Sequence, residues 1–315
     1  MVRIGTRGSE LALRQARLVE SALGARGVSA TLQIFKTTGD KRLDEPLSAI
    51  GAKGLFTKEL ERALARGKVD CCVHSLKDLP TDWPEGLELV AYLPREDPRD
   101  ALVVNRLILA ESIAELPRGS RVGTSSLRRR AQLLALRDDL DVVELRGNVP
   151  TRLKKVDDGR VHAAVLAAAG LHRLGAASRI AAYLDAPAWL PAAGQGAIAV
   201  QIRAGDDRAR SLCAPLNDLP TMLAVRAERA LLASLQGGCQ VPIGALVLRD
   251  GDQHVLHAMI SDLAGKHVVR SDQRVDLDDP EGAGERLANV LRLRGGERII
   301  EMLRQATELP SPQPE

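Results

Sequence analysis

Residues 121–170 read RVGTSSLRRRAQLLALRDDLDVVELRGNVPTRLKKVDDGRVHAAVLAAAG, and the alternation within them sets the architecture. Arg121 to Gly123, Asp141 to Leu145 and Ala163 to Ala168 are short apolar runs of strand type. Between them, Ser125 to Arg137 and Val149 to Asp158 carry apolar residues at helical spacing. Strands separated by helices of this length predict parallel sheets with helices on both faces. The same alternation stands upstream. Val2 to Thr6, Ala30 to Lys36, Val69 to His74 and Leu87 to Leu93 read as strands, as does Ala101 to Val104 beyond them. Leu11 to Ala25, behind a Gly8-Ser9 cap, and Thr57 to Arg66 read as helices. The polar stretch Thr37 to Gly54 has no clear element and reads as a lid.

The chain of 315 residues is long enough for two or three domains. Pro94-Arg95-Glu96-Asp97-Pro98 punctuates it as a hinge, and Ala197 to Arg203, after Pro187 to Pro191, is a strand placed to cross back. Past Pro220 the pattern changes. Thr221 is expected to cap a helix reaching about Leu235, and Ile243 to Val247 with His254 to Ile260 form a hairpin around Asp250-Gly251. Helices then close the chain before a loose tail, Pro310 to Glu315. The expected division is residues 1–94 with 197–215 as a first α/β domain, 99–193 as a second, and 219–315 as a small α+β domain.

Composition removes several function classes. Aromatic residues are only 2% of the chain and the net charge is +3, so neither the stacking platforms of a single-strand binder nor the basic excess of a duplex binder is present. The longest strongly apolar stretch, Ala163 to Gly170, is far short of the roughly 20 residues of a membrane helix. Met1-Val2-Arg3-Ile4-Gly5 enters a strand directly, without the apolar stretch of a signal peptide, so the expected location is the cytoplasm. Cys71, Cys72, Cys213 and Cys239 form no CxxC pair and no regular spacing with His, so neither zinc nor a disulfide framework is expected. Basic residues are 35 Arg against 9 Lys, an excess that biased base composition explains for most positions.

In doubly wound sheets ligands bind beyond the carboxyl ends of the strands, where helix N-termini expose unpaired N–H groups. Four junctions combine Gly, Arg and usually a capping residue: Thr6-Arg7-Gly8-Ser9, Gly123-Thr124-Ser125-Ser126-Leu127-Arg128-Arg129, Arg146-Gly147-Asn148-Val149-Pro150-Thr151-Arg152, and Ala169-Gly170-Leu171-His172-Arg173. One such junction is ordinary capping; four point to a cleft for a polyanion. No P-loop and no GxGxxG opens a helix, so carboxylates, which suit arginine forks, are favoured over nucleotide phosphate. In Val73-His74-Ser75-Leu76-Lys77-Asp78-Leu79-Pro80, His74 alternates with apolar residues and reads as structural. Asp78 is either a surface partner of Lys77 or the one carboxylate of a basic cleft, able to protonate a leaving group and hold a cation. Gly237-Gly238-Cys239-Gln240-Val241-Pro242 is a tight loop that is either inert or presents sulfur as a nucleophile or attachment point.

Together these segments resemble the porphobilinogen deaminase, or hydroxymethylbilane synthase, family. The resemblance runs through Arg3 to Ser9, Gly51-Ala52-Lys53-Gly54-Leu55-Phe56, Val73 to Pro80, Arg95 to Asp100, Val122 to Arg129, Leu145 to Arg152, Gly194-Gln195-Gly196 and Gly237 to Gly244. It implies two domains of the type II periplasmic-binding-protein kind joined by hinges, and a third carrying a cofactor cysteine. It implies a monomeric transferase in which Cys239 bears a dipyrromethane primer through a thioether. Four porphobilinogen molecules are joined head to tail with loss of ammonia, and water liberates hydroxymethylbilane for haem and other tetrapyrroles. Asp78 is then the acid-base residue that stabilises pyrrole nitrogens and an azafulvene-like cation. Arg7, Ser9, Gln15, Ser75, Lys77, Thr124, Ser126, Arg128, Arg129, Arg146, Gly147, Arg152, Arg173 and Gln195 would bind cofactor or substrate, and Lys53 and Phe56 would lie in the lid. Ala49, where relatives often have Lys, bears on a lid contact, and His162, where Asp is often found, on local packing. The competing reading is a cytoplasmic carboxylate-binding or sensor module of the same two-domain cleft architecture.

Overall fold

The computed structural model describes residues 1–37, 57–82, 84–235 and 241–308, organised around three sheets. β1 (Val2–Arg7) leads through Ser9 into α1 (Glu10–Gly24), and β2 (Ala30–Phe35) returns parallel to β1. The Ser9 side chain accepts from the Ala12 N–H, satisfying one of the donors a helix start leaves open. After α2 (Lys58–Ala65), β3 (Cys71–Ser75) joins the other edge of β1, again parallel. β4 (Leu87–Tyr92) does not follow beside β3. The place between them belongs to β10 (Ile198–Arg203), antiparallel to both, so the order is β2-β1-β3-β10-β4.

The second sheet repeats this plan. β6 (Arg121–Gly123) is parallel to β7 (Asp141–Val143) and β8 (Ala163–Ala167), connected by α3 (Leu127–Leu136) and α4 (Val149–Asp157). β5 (Asp100–Val104) runs antiparallel between β8 and β9 (Ala182–Leu184), giving β7-β6-β8-β5-β9. α5 (Ala168–Arg173) follows β8 and α6 (Asp207–Cys213) follows β10.

The all-parallel expectation is therefore corrected: each sheet is a parallel trio, one antiparallel strand and an edge strand. In both, the antiparallel strand enters directly from a segment that crosses between the sheets. It enters where the neighbouring trio strand ends, Ile198 opposite Ser75 and Asp100 opposite Ala167, and so must run against it. The two crossing segments lie together: Glu96 N–H donates to Gly196 O at 3.3 Å and Arg95 Nε to Gln195 O at 2.8 Å. Gly196 has φ +89°, and a Cβ there would stand 2.3 Å from Glu96 O. Gly196→Ala is expected to destabilise the fold by about 1–3 kcal/mol or more, seen as an earlier urea midpoint; an unchanged midpoint would show that this crossing is loosely packed.

The C-terminal part is α7 (Leu219–Ser234), an antiparallel sheet of β11 (Ile243–Asp250), β12 (Gln253–Ser261) and β13 (Val268–Arg274), then α8 (Pro280–Leu291) and α9 (Glu297–Glu308). Its core gathers Leu231, Leu256, Leu287 and Leu291, all fully buried, each worth roughly 1.5–3 kcal/mol of apolar burial. The cap of α7 is Asp218, not Thr221: Asp218 Oδ2 accepts from Thr221 N–H at 3.0 Å. The Thr221 hydroxyl instead accepts the Arg95 N–H at 3.0 Å, tying α7 to the first crossing. β9 and β13 have no counterpart in the sequence reading. β9 is three residues with an exposed Tyr183, and β13 ends in Ser271-Asp272-Gln273-Arg274, so neither carries a strong apolar alternation.

Candidate active site

The centre of the constellation is a residue the sequence reading did not single out. Asp100 heads β5, is fully buried, and pairs with two arginines from the first turn of α3. Its oxygens accept from Arg128 Nη1 at 2.7 Å, Arg129 Nη2 at 2.7 Å and Nε at 3.1 Å, Trp189 Nε1 at 2.8 Å and Gln195 Nε2 at 2.8 Å. Burial alone would raise its pKa, but the two guanidinium charges and their hydrogen bonds hold it far below the usual carboxylate range. Arg128 also donates to Leu190 O at 2.7 Å and Arg129 to Val165 O at 2.9 Å. Both are buried, at 6% and 5% exposure, so these two assigned carboxylate binders are held first by a carboxylate of the chain itself. The available signal was Asp100, an acid opening the otherwise apolar run Ala101 to Val104.

Gln195 carries this network to the other sheet. Its Nε2 reaches Asp100 and Pro98 O, each at 2.8 Å, while its Oε1 accepts from Lys77 Nζ at 3.1 Å. Lys77 lies in the short turn Leu76–Asp78 that ends β3. Its pKa is pushed down to about 8, by burial first and then by Arg129, with Asp78 and Asp100 opposing. Asp78 is exposed beside it. Ser75, at the end of β3, accepts from Gln15 Nε2 at 2.9 Å, fixing α1 against the same turn. His74 is buried, bonds Gln201 Oε1 at 3.1 Å and is pushed down to about 4 by burial, so it is the structural histidine expected.

The α4 junction adds the next charges. Asn148 caps the helix by accepting from Thr151 N–H, and Gly147 takes φ +110° where a Cβ would lie 2.8 Å from Thr151. Arg152 Nε donates to Gly147 O at 2.8 Å; its pKa is pushed down to about 10 by burial and Arg129, while Asp78 raises it and Arg146 lowers it. Arg146 is mostly buried, with Glu144 3.7 Å from its Nε, and its Nη1 is buried with no hydrogen-bond partner. An unmet buried donor costs about 1–3 kcal/mol, which an acidic ligand would relieve. At the α3 junction, Ser126 accepts from Arg129 N–H at 3.4 Å and Thr124 Oγ1 from Ser126 N–H at 3.2 Å.

Arg7 ends β1, half-buried, and its charge is felt at His74. Arg173 departs from expectation: α5 starts at Ala168 with no side-chain cap, so Arg173 sits in its last turn and is not at a strand-to-helix junction. Its Nη2 donates to Gly196 O at 2.6 Å, at the second crossing. His162 is exposed and its Nδ1 accepts the Arg121 N–H at 2.9 Å, the accepting part a carboxylate would play there. Cys71, Cys72 and Cys213 are buried and free. Cys239, Lys53, Phe56 and Ala49 lie outside the described residues. Among the described residues no His, Cys, Asp or Glu cluster could hold a metal, and no helix is long and apolar enough to cross a membrane.

Asp78 and Arg129 each act on both Lys77 and Arg152, and Arg146 acts on Arg152, so the turn after β3 and the α4 junction share one electrostatic neighbourhood with the buried Arg129–Asp100 pair. Residues 2–211 match the family described as porphobilinogen deaminase, dipyromethane cofactor binding domain, and residues 222–292 match porphobilinogen deaminase, C-terminal domain. The porphobilinogen deaminase of Syntrophobacter fumaroxidans is 47% identical over 97% of this chain and 99% of its own. That of Moorella thermoacetica is 50% identical over 95% and 96%. Among solved structures, the methionine binding protein MetQ superposes with a TM-score of 0.44 at 16% identity, covering 68% of this chain and 89% of its own. With its two family domains in order and near full-length relatives at about half identity, this chain belongs to the porphobilinogen deaminase family.

Proposed function

We propose that the chain is a hydroxymethylbilane synthase, a transferase that joins four porphobilinogen molecules head to tail on a covalent dipyrromethane, releases ammonia at each addition and finally liberates hydroxymethylbilane by hydrolysis. The observation that carries this reading is the exposed carboxylate of Asp78 among the charges of Lys77 and Arg152. A carboxylate-binding module would need basic groups and, for its buried arginines, a counter-ion such as Asp100; an exposed acid beside Lys77 serves chemistry. The donor set also fits the cofactor, since each pyrrole carries two carboxylates and the unmet Nη1 of Arg146 lacks an acceptor.

Cys239 would hold the dipyrromethane through a thioether, and the bound group supplies an electron-rich pyrrole terminus as the point of addition. Arg146, Arg152, Lys77, Arg7 and Arg173 would grip acetate and propionate side chains, with Ser9, Thr124, Ser126 and Gly147 lining the helix starts beside them. Arg128 and Arg129, oriented by Asp100, would add charge from below. Gln15 and Ser75 hold the turn, and Gln195 holds Lys77. Asp78 would protonate the departing amine of porphobilinogen as its C–N bond breaks, face the cation left behind, and take back the proton released when the new C–C bond forms. Lys53 and Phe56 would cover the cleft. The division into residues 1–94 with 197–215, 99–193 and 219–315, a monomeric state and a cytoplasmic location belong to the same proposal.

Denatured protein from a porphyrin-making host is expected to retain a covalent mass increment that maps to Cys239, with a pyrrole colour reaction. The bare chain mass would overturn the reading. Lys77 yields a pH test. Its folded pKa of about 8 lies below its ordinary value of 10.5, so the cleft loses this charge above about pH 8. The KM for porphobilinogen is expected to rise there, and in Lys77→Arg this rise should disappear; an identical profile in both proteins would separate Lys77 from substrate binding. Over the same window the unfolded chain holds the extra proton, so stability from this group increases as pH climbs from about 8 towards 10.5.

A further inference from the structure

Arg229 of α7 is buried, at 8% exposure, although it belongs to a different sheet system from the cleft. Its Nη1 donates to Leu79 O at 3.1 Å and Leu76 O at 3.5 Å, and its Nη2 to Pro80 O at 2.6 Å. These three carbonyls belong to the turn that carries Lys77 and Asp78. The same turn is held on its amide side by Leu76 N–H to Ala197 O at 3.0 Å, at the entry of β10. Asp78 therefore projects from a short segment fixed at one end by backbone and at the other by one guanidinium.

The helix that supplies the guanidinium is itself anchored. Glu228, next to Arg229 and fully buried, accepts from Arg95 Nη1 at 2.6 Å and Nη2 at 3.0 Å, from Gly194 N–H at 2.7 Å and from Val247 N–H at 3.0 Å. It thus binds both crossing segments and β11 at once, so α7 is a fixed reference against which the turn is set. Burying a guanidinium costs free energy that carbonyl acceptors offset only in part, and its planar fork suits several acceptors at fixed spacing. A misplacement of about 1 Å at a reacting group can cost of the order of a hundredfold in rate.

We propose that Arg229 is a positioning residue for turnover: by holding the carbonyls of Leu76, Leu79 and Pro80 it fixes where the Asp78 carboxylate stands, and so sets kcat and leaves substrate affinity alone. This rests on the reading of Asp78 as the acid-base group. The test measures kcat per cofactor-loaded molecule, counted by intact mass, with KM and amide hydrogen exchange over residues 76–81. Arg229→Met is expected to lower kcat about 10- to 100-fold with KM within threefold and to speed exchange in the turn; Arg229→Lys, which keeps one donor direction, should recover part of kcat. Unchanged kcat per loaded molecule, even with a lower melting temperature, would overturn the proposal, as would a raised KM at constant kcat. If Arg229→Met does not fold, Arg229→Lys carries the same criterion, an intermediate kcat supporting the proposal and a parental one overturning it. Asp78→Asn, assayed alongside, separates the two readings: full activity there removes the acid-base assignment, whereas its loss beside a fully active Arg229→Met removes only the positioning role.

Discussion

Asp78→Asn is expected to lower turnover by roughly a hundred- to ten-thousandfold, the range general acid-base groups supply, while the chain still folds and binds porphobilinogen. Asp78 is exposed, so an amide of the same shape leaves no buried group without a partner. What it removes is the carboxylate able to hand a proton to the departing amine and to face a cation in a basic cleft. A second readout follows from the charges around it. Asp78 raises the pKa of both Lys77 and Arg152, so its neutralisation should move the basic limb of the KM profile below the parental value of about 8. Product formation within threefold of the parent would remove Asp78 from the centre of the mechanism. A lost turnover with an unmoved basic limb would detach Lys77 from that limb.

Asp100→Ala is expected to be the most destabilising single change in the cleft, by about 3–5 kcal/mol, because it leaves a buried ion cluster without its anion. Arg128 and Arg129 would remain at 6% and 5% exposure with like charges facing each other, and Trp189 and Gln195 would each lose an acceptor. A domain stable by roughly 5–15 kcal/mol has little margin for such a loss. Urea unfolding followed by Trp fluorescence measures it, and a shift below about 1 kcal/mol would show that the guanidiniums find other acceptors. The sign with pH is set by the depressed pKa. The stabilisation from Asp100 is complete above its ordinary value of 3.8 and is lost as pH falls below it. The parent and Asp100→Ala should therefore converge in stability in strong acid.

The features legible in the sequence are those whose chemistry is local. Ser9 and Asn148 are readable as helix starts because a cap needs only its own side chain and an N–H two or three residues on, whereas the helix expected from Ser125 starts at Leu127 behind the cap Ser126. The Arg146 and Arg152 positions follow from the same junctions, and Lys77 and Asp78 from the polar turn that follows the strand Val69 to His74. Arg173 was misplaced because Gly170 looked like a junction glycine, whereas α5 had already begun at Ala168. The cap of α7 differs from the expected Thr221 because Asp218, three residues earlier, accepts the Thr221 N–H, so the helix already starts at Leu219.

Asp100, Glu228 and Arg229 were not legible as site residues, for one reason. Each acts on groups at least 19 residues away in sequence, and the largest separation, Arg229 to Leu76 O, is 153. An acid in an apolar strand or an Arg in a helix means nothing until its partner is known.

By itself the sequence determined that two α/β units precede a smaller α+β part and that Gly, Arg and capping residues gather at the helix starts. These depend on periodicity and capping, which act within a few residues. Only the tertiary structure decided that the crossing strands β5 and β10 insert antiparallel as the fourth strand of each sheet. It also decided that Arg128 and Arg129 answer to Asp100 before any ligand, and that α7 grips the Asp78 turn. The physical reason is that strand direction and buried ion pairing are settled by where the chain re-enters a sheet and by which charges burial brings together.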